Sequence, residues 1–179
     1  MFYKDEKLAL FIDGPSLHYA ARDLGMTIDF KKLRAEFQRR GKLLRVVYYT
    51  AMLETDDPSP IRPLVDFLAY NGFMTVTKEA KEYTDSMGRK KIKGNMDIEL
   101  TVDAMELAAS VDHIVVFSGD GDLAPLVQAL QTRGVRVSVV STTKTQPSHA
   151  SDELRRQADN FIELDDLRDT IARPPRPEA

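Results

Sequence analysis

Four aspartates stand where carboxylate chemistry could gather. Asp13 closes the apolar run Leu8 to Ile12, in Phe11-Ile12-Asp13-Gly14-Pro15-Ser16. Asp120 and Asp122 follow a second apolar run, in Phe117-Ser118-Gly119-Asp120-Gly121-Asp122. Asp97 comes directly after Lys93-Gly94-Asn95-Met96, in the first turn of a helical pattern. Taken singly, each acid has an ordinary structural use: Asp122 can cap a helix and Asp13 can close an Asx turn. Their coincidence points further, because carboxylates held together repel one another unless a cation lies between them. Gly14, Gly119 and Gly121 allow tight turns and close approach of a ligand to the backbone. Oxygen donors, no cysteine and three scattered histidines suit Mg²⁺ or Mn²⁺ rather than Zn²⁺.

These residues need a scaffold that brings them together. Leu8 to Ile12 is a short apolar run of the kind found in a parallel strand buried on both faces. A helix is expected over Pro15–Leu24, stopped by Gly25, and a second after Asp29 as cap, ending at Gly41. Leu43–Thr50 reads as the second strand, and Ser59-Pro60 opens a helix through Tyr70. Phe73–Thr77 reads as the third strand. Lys78 to Lys93 is polar and centred on Asp85-Ser86-Met87-Gly88, which fits a hairpin or a mobile loop.

Asn95 is expected to cap a helix through Ala109. Its predicted buried face is Ile98, Thr101, Ala104, Met105 and Ala108, with Asp97 at the middle. Glu99 and Glu106 then face solvent, with Asp103 at the margin. Val111–Phe117 and Val135–Val140 read as further strands, with a helix from Asp122 to Thr132 between them. Ser151 caps a short helix over Leu154–Ala158, and Phe161-Ile162 adds a sixth strand. Alternating strands and helices predict an α/β fold: an open parallel sheet with helices on both faces, three layers deep. In such sheets ligands bind beyond the carboxyl ends of the strands, where Asp13, Asp120 and Asp122 fall. Residues 1–172 are expected to form one domain, and the Pro-rich 173–179 a disordered tail.

The 179 residues suit a single core, and no apolar run reaches the length of a membrane span. The N-terminus lacks the shape of a secretory signal, so a cytoplasmic location is expected. A net charge of −3 does not favour a polyanionic partner, but its distribution matters more for a groove. Arg89, Lys90, Lys91 and Lys93 lie within five residues, with Lys78 and Lys81 just before. Such a run is equally at home on a solvated hairpin. The polar loop Ser141 to Gln146, with Lys144, follows a strand on the same edge of the sheet and could line a groove. His18, His113 and His149 form no ligand set and are read as surface or packing residues. There is no dinucleotide fingerprint, Walker loop or Gly-x-Ser-x-Gly elbow. Pro15 stands where a phosphatase of the haloacid dehalogenase type needs its second Asp, and Thr77-Lys78 where a receiver domain needs its phosphoacceptor.

From about Leu8 to Leu167 the chain resembles the NYN domain family, in its LabA-like branch of the PIN-like nucleases. The matching segments are Phe11-Ile12-Asp13-Gly14 with Leu17, Lys93-Gly94-Asn95-Met96-Asp97 leading to Asp103-Ala104-Met105, Ser118-Gly119-Asp120-Gly121-Asp122, and Gly134-Val135-Arg136-Val137. The resemblance implies a PIN-like sheet, Mg²⁺ or Mn²⁺ held by an acidic cluster, and ribonuclease activity. Carried over by position, the acids are Asp13, Asp97, Asp120 and Asp122, with Asp103 as a further candidate, and the small hydroxyl before the Asp pair is Ser118. Ser16 stands where the family usually has Asn, so one amide donor and acceptor is replaced by a shorter hydroxyl.

The function expected is hydrolysis of RNA by a metal-activated water. The four acids hold the ion, while Arg89, Lys90, Lys91, Lys93 and Lys144, with Ser16 and Ser118, meet the substrate. Tyr83 and Lys81 could stack on and steer a single strand. Single-stranded RNA is the favoured partner, with homo-oligomer formation left open. The alternatives are a non-catalytic RNA- or protein-binding module on the same fold, and a small-molecule phosphohydrolase.

Overall fold

The computed structural model describes residues 1–53 and 61–177. Seven strands form one sheet: β1 (Lys7–Asp13), β2 (Lys42–Leu53), β3 (Met74–Thr84), β4 (Lys90–Lys93), β5 (His113–Phe117), β6 (Arg136–Ser141) and β7 (Asn160–Glu163). Their order across the sheet is β4-β3-β2-β1-β5-β6-β7. All pairings are parallel except β3 with β4. The helices are α1 (Gly14–Asp23), α2 (Phe30–Arg40), α3 (Arg62–Tyr70), α4 (Asp97–Leu107), α5 (Ala124–Thr132), α6 (Asp152–Gln157) and α7 (Arg168–Ile171).

The central strands alternate between two cores. Ala9, Phe11, Val47, Tyr49, Ile114, Val116, Val137 and Val139 face one core, covered by residues of α4, α5 and α6. Leu10, Ile12, Val46, Tyr48, Val115, Phe117 and Val140 face the other, covered by α1, α2, α3 and α7. This period of two, apolar on both sides, explains why these strands read as unbroken hydrophobic runs. The result is the expected three-layer α/β fold of PIN-like type.

Several local expectations hold in detail. Asp29 caps α2, accepting from the Lys32 amide at 3.1 Å, and Ser151 caps α6 through the Leu154 amide at 3.1 Å. Lys78 to Lys93 forms the hairpin alternative: β3 continues to Thr84 and returns as β4. The turn is held by Asp85, whose Oδ1 accepts from the Met87 and Arg89 amides, with Gly88 at positive φ. The Phe161-Ile162 strand is present as β7.

Other expectations need correcting. The buried side of α4 is Leu100 and Ala104, extended by Met96 and Ala108, whereas Ile98 is 74% exposed. The sheet lies on the Leu100 side because that stripe, not the Ile98 stripe, continues the core of β1 and β2. Asn95 does not cap α4 in the usual way; its Oδ1 accepts from the Asp97 amide, which tightens the entry turn. Asp122 lies inside a short 3₁₀ turn, Gly121–Leu123, and the cap is Asp120. The expected opening of α3 at Ser59-Pro60 falls outside the described residues. Residues 173–177 are exposed and without regular structure, although the Arg173 amide bonds Thr27 O at 2.8 Å. Among the described residues no helix is long and apolar enough to cross a membrane.

Candidate metal centre and strand-end cleft

Asp13 is the last residue of β1, and Asp120 lies just beyond the end of β5, its neighbour in the sheet. Parallel pairing therefore delivers both to the same edge. Asp97 reaches that edge from the other direction. The return strand β4 runs into Gly94, where an added Cβ would lie only 2.8 Å from the Ala51 Cβ, so only glycine lets the chain pass this close to β2. Met96 then packs into the core and sets Asp97 as the first residue of α4.

Asp97, Asp120 and Asp122 each offer a carboxylate oxygen, and these oxygens lie within 4.8 Å of one another. Asp97 and Asp120 are half-buried and Asp122 is exposed. Burial, then the charges of Asp120 and Asp13, push the Asp97 carboxyl up to about 6. Burial also raises Asp13, against the hydrogen bond from Ser16 and with the charge of Asp120. Among the described residues none of these four acids forms a salt bridge. An acid cluster with no basic counterpart among the described residues, made of oxygen donors, fits a hard divalent cation.

The remaining expected site residues are distributed as follows. Ser16 Oγ donates to Asp13 Oδ2 at 2.8 Å and lies 3.5 Å from Ser118 Oγ. Ser118 is buried, and its Oγ accepts from the Asp120 amide at 3.2 Å. The two hydroxyls thus link the Asp13 and Asp120 segments. Gly119 allows this junction: an added Cβ would lie 1.8 Å from His149 O, and Gly119 O accepts from the Ser151 amide. The loop after β6 is thereby pressed onto the cluster.

Asp103 is outside the trio; the Tyr49 hydroxyl donates to its Oδ2 at 2.7 Å, holding it against β2. That contact was not legible in the sequence, because Tyr49 and Asp103 are 54 positions apart. Lys144 pairs with Asp165 and Asp166, each at 3.1 Å, on an exposed part of the surface. On the hairpin, Asp85 takes Arg89 at 3.1 Å and Lys91 at 3.8 Å, while Lys90 is exposed. The Lys93 side chain lies outside the described ones. Ion pairs of this kind are screened by solvent and salt and hold their partners weakly.

The histidines are as expected. His113 is fully buried at the start of β5, the end of the sheet remote from the cluster, between Ser138 Oγ at 2.7 Å and Glu6 at 3.2 Å. His149 meets Asp23 at 2.7 Å. His18 is exposed on α1.

Comparison with known proteins agrees with this architecture. Residues 7–165 match the model of the NYN domain family. The chain is 32% identical over 182 residues to the low amplitude and bright protein LabA of Synechococcus elongatus, spanning 99% of this chain and 94% of LabA. The crystal structure of a Vibrio parahaemolyticus protein of unknown function superposes with a TM-score of 0.75 at 25% identity, covering 96% of this chain and 99% of that one. The chain belongs to the NYN domain family, in its LabA-like branch.

Proposed function

We propose that the protein is a divalent-metal-dependent ribonuclease acting at the strand-end cleft. Chief support is the convergence of Asp97, Asp120 and Asp122 on one point, from segments that are distant in sequence, with no basic partner among the described residues. Membership of a nuclease-like family supports the same reading.

Asp97, Asp120 and Asp122 would hold Mg²⁺ or Mn²⁺, with Asp13 beside them. When bound, such an ion acidifies water and offsets negative charge building on a phosphodiester. Ser16 fixes the rotamer of Asp13 by donating to Oδ2, and Ser118 holds the Asp120 turn through its amide. Asp120 in turn keeps the Asp122 amide engaged through Oδ1.

The hairpin β3–β4 extends from the same edge of the sheet. By strand alternation Lys81, Tyr83 and Lys91 share one face of it, a cationic and aromatic surface suited to a single strand. Arg89 and Lys90, with Lys93 and Lys144, are the further phosphate contacts in this reading. We further propose that residues 1–172 work as one unit in the cytoplasm, with single-stranded RNA as substrate.

Cleavage of assorted RNA and DNA strands with Mn²⁺, Mg²⁺ or EDTA, beside an Asp120→Asn control, tests the proposal. Turnover that needs the metal and Asp120, and prefers RNA, is expected. Metal-sensitive binding without turnover would instead indicate a non-catalytic RNA-binding module, and turnover of small phosphate esters alone a phosphohydrolase.

A further inference from the structure

A cavity of about 310 Å³ lies at the amino ends of β2 and β3. Its wall holds Arg34 of α2, Arg45 of β2 and Gly72, together with the exposed side chains of Leu44 and Met74. No acid lines it, and neither arginine forms a salt bridge among the described residues. Glu36, the buried acid of α2, is taken by Arg39 and Arg40. Arg45 Nη1 donates to the Leu44 carbonyl at 2.7 Å. Arg34 Nε is buried and has no hydrogen-bond partner. The Arg34 guanidinium lies against the turn after α3: a Cβ added at Gly72, where φ is +86°, would be 3.0 Å from Nε and 3.2 Å from Nη2. In that turn the Asn71 and Phe73 amides both bond Leu68 O, whereas the Gly72 amide has no partner among the described residues.

Two guanidinium groups in one wall repel each other, and a buried donor left open is unfavourable; an anion relieves both. The chain has 28 acids against 25 lysines and arginines, so the missing counter-charge does not come from a shortage of carboxylates. The guanidinium fork matches the oxygens of carboxylate and phosphate. Two forks suit a group with about two negative charges and three acceptor oxygens, which a phosphate supplies and a single carboxylate does not. We propose that this cavity binds a phosphate group, free or at the end of a small monoester, between Arg34 and Arg45. The site is separate from the acid cluster. Arg45 pairs with Ala9 and Tyr49 with Asp13, so four residues of strand, roughly 13 Å, lie between Arg45 and the level of Asp13.

Calorimetric titration of the full chain with inorganic phosphate, in EDTA and at an ionic strength held constant with chloride, tests the inference. EDTA strips divalent ions from the acid edge, which then repels phosphate, so cleavage plays no part in the readout. One site per chain is expected, and Arg34→Gln and Arg45→Gln should each weaken it at least about tenfold. Arg45 is exposed, so Arg45→Gln reports on the site even where Arg34→Gln disturbs folding. Phosphate should also raise the melting temperature of the parent more than that of Arg45→Gln. A second arm compares adenosine 5′-monophosphate with adenosine. A monophosphate that binds more tightly than inorganic phosphate, with adenosine inert, identifies a monoester as the ligand; equal affinities identify the free ion, and both results support the site.

No saturable binding of phosphate or of the monophosphate up to about 10 mM overturns the inference. Binding of the parent's strength in both variants does the same, because the anion is then held elsewhere. Adenosine binding as tightly as its monophosphate also overturns it, since the phosphate is then not what the protein recognises.

Discussion

Replacing Asp120 by Asn removes one of three carboxylates whose oxygens lie within 4.8 Å, while keeping the Oδ1 acceptor that holds the Asp122 amide. Two unit charges at that separation repel by about 1 kcal/mol in water and about 3.5 kcal/mol at an effective dielectric of 20. The Asp97 carboxyl bounds the value from the other side: it stands about 6 against an ordinary 3.8. A shift of that size corresponds to roughly 3 kcal/mol for all causes together, burial first. The site is open to solvent, which screens the charges, so roughly 1 kcal/mol is assigned to Asp120. Asp97 gains protons on folding, so the metal-free parent loses stability as pH rises from about 4 through 6, and none of that penalty is present below about 4.

Asp120→Asn should flatten this slope and, in EDTA near pH 8, raise the melting temperature by about 2–4 °C for a chain of this size. With Mn²⁺ the order should reverse, because a parent that holds the ion as proposed would gain by mass action while the variant would gain less. Thermal melts in EDTA and in Mn²⁺, across pH, read both effects. A variant that melts several degrees lower in EDTA and keeps the parent's Mn²⁺ shift would refute the reasoning, reducing Asp120 to a turn cap.

Changing Arg89, Lys90 and Lys91 together to Ala should weaken RNA binding and reduce the steepness of its salt dependence by about 2, at roughly 0.7 per phosphate on a single strand. An unchanged salt slope in a filter-binding titration would leave the run as a solvated hairpin. Tyr49→Phe should cost roughly 1–2 kcal/mol in denaturant melts, because the hydroxyl that Asp103 accepts from is lost, while the Mn²⁺-dependent melting shift stays. Loss of that shift in Asp103→Asn would instead bring Asp103 into the ion's ligand set. His113 is held below its ordinary pKa, by burial first and then by Arg136. Its contribution is therefore full above the unfolded value of about 6.5 and lost as pH falls below it. His113→Gln should flatten that acid limb, and a limb of the parent's steepness in the variant would contradict it.

The carboxylates at the strand ends were legible because their context is local. Asp13 and Asp120 each follow a short apolar run and sit beside glycine, so strand, turn and edge can all be read within a few residues. Parallel pairing of β1 with β5 then does the rest. Asp97 lies beside Asp120 and Asp122, although the buried face of its helix differs from the one its periodicity predicts. Ile98, Leu100, Val102, Ala104, Met105 and Leu107 spread apolar residues around much of α4, so periodicity alone could not choose the face. The choice came from β1 and β2, which present Phe11, Val47 and Tyr49 to Leu100 and Ala104.

The extension of β3 was missed for the opposite reason. Thr77 to Thr84 is polar on both sides of the strand, leaving no alternation to read; only the Asp85–Gly88 turn betrayed a hairpin. The Tyr49–Asp103 contact and the cavity between Arg34 and Arg45 depend on neighbours brought together by the sheet, for which the sequence carries no short-range signal.

The central claim is that carboxylates at this edge of the sheet hold the ion that makes the protein a ribonuclease. Single-turnover cleavage of a labelled single-stranded RNA, comparing the parent and Asp97→Asn in Mn²⁺ and in EDTA, tests it most directly. Removing a group that acts through the ion is expected to slow cleavage by at least about 10²-fold, and EDTA should abolish what the parent does. Cleavage by Asp97→Asn at the parent's rate, or cleavage by the parent undiminished in EDTA, would contradict the claim.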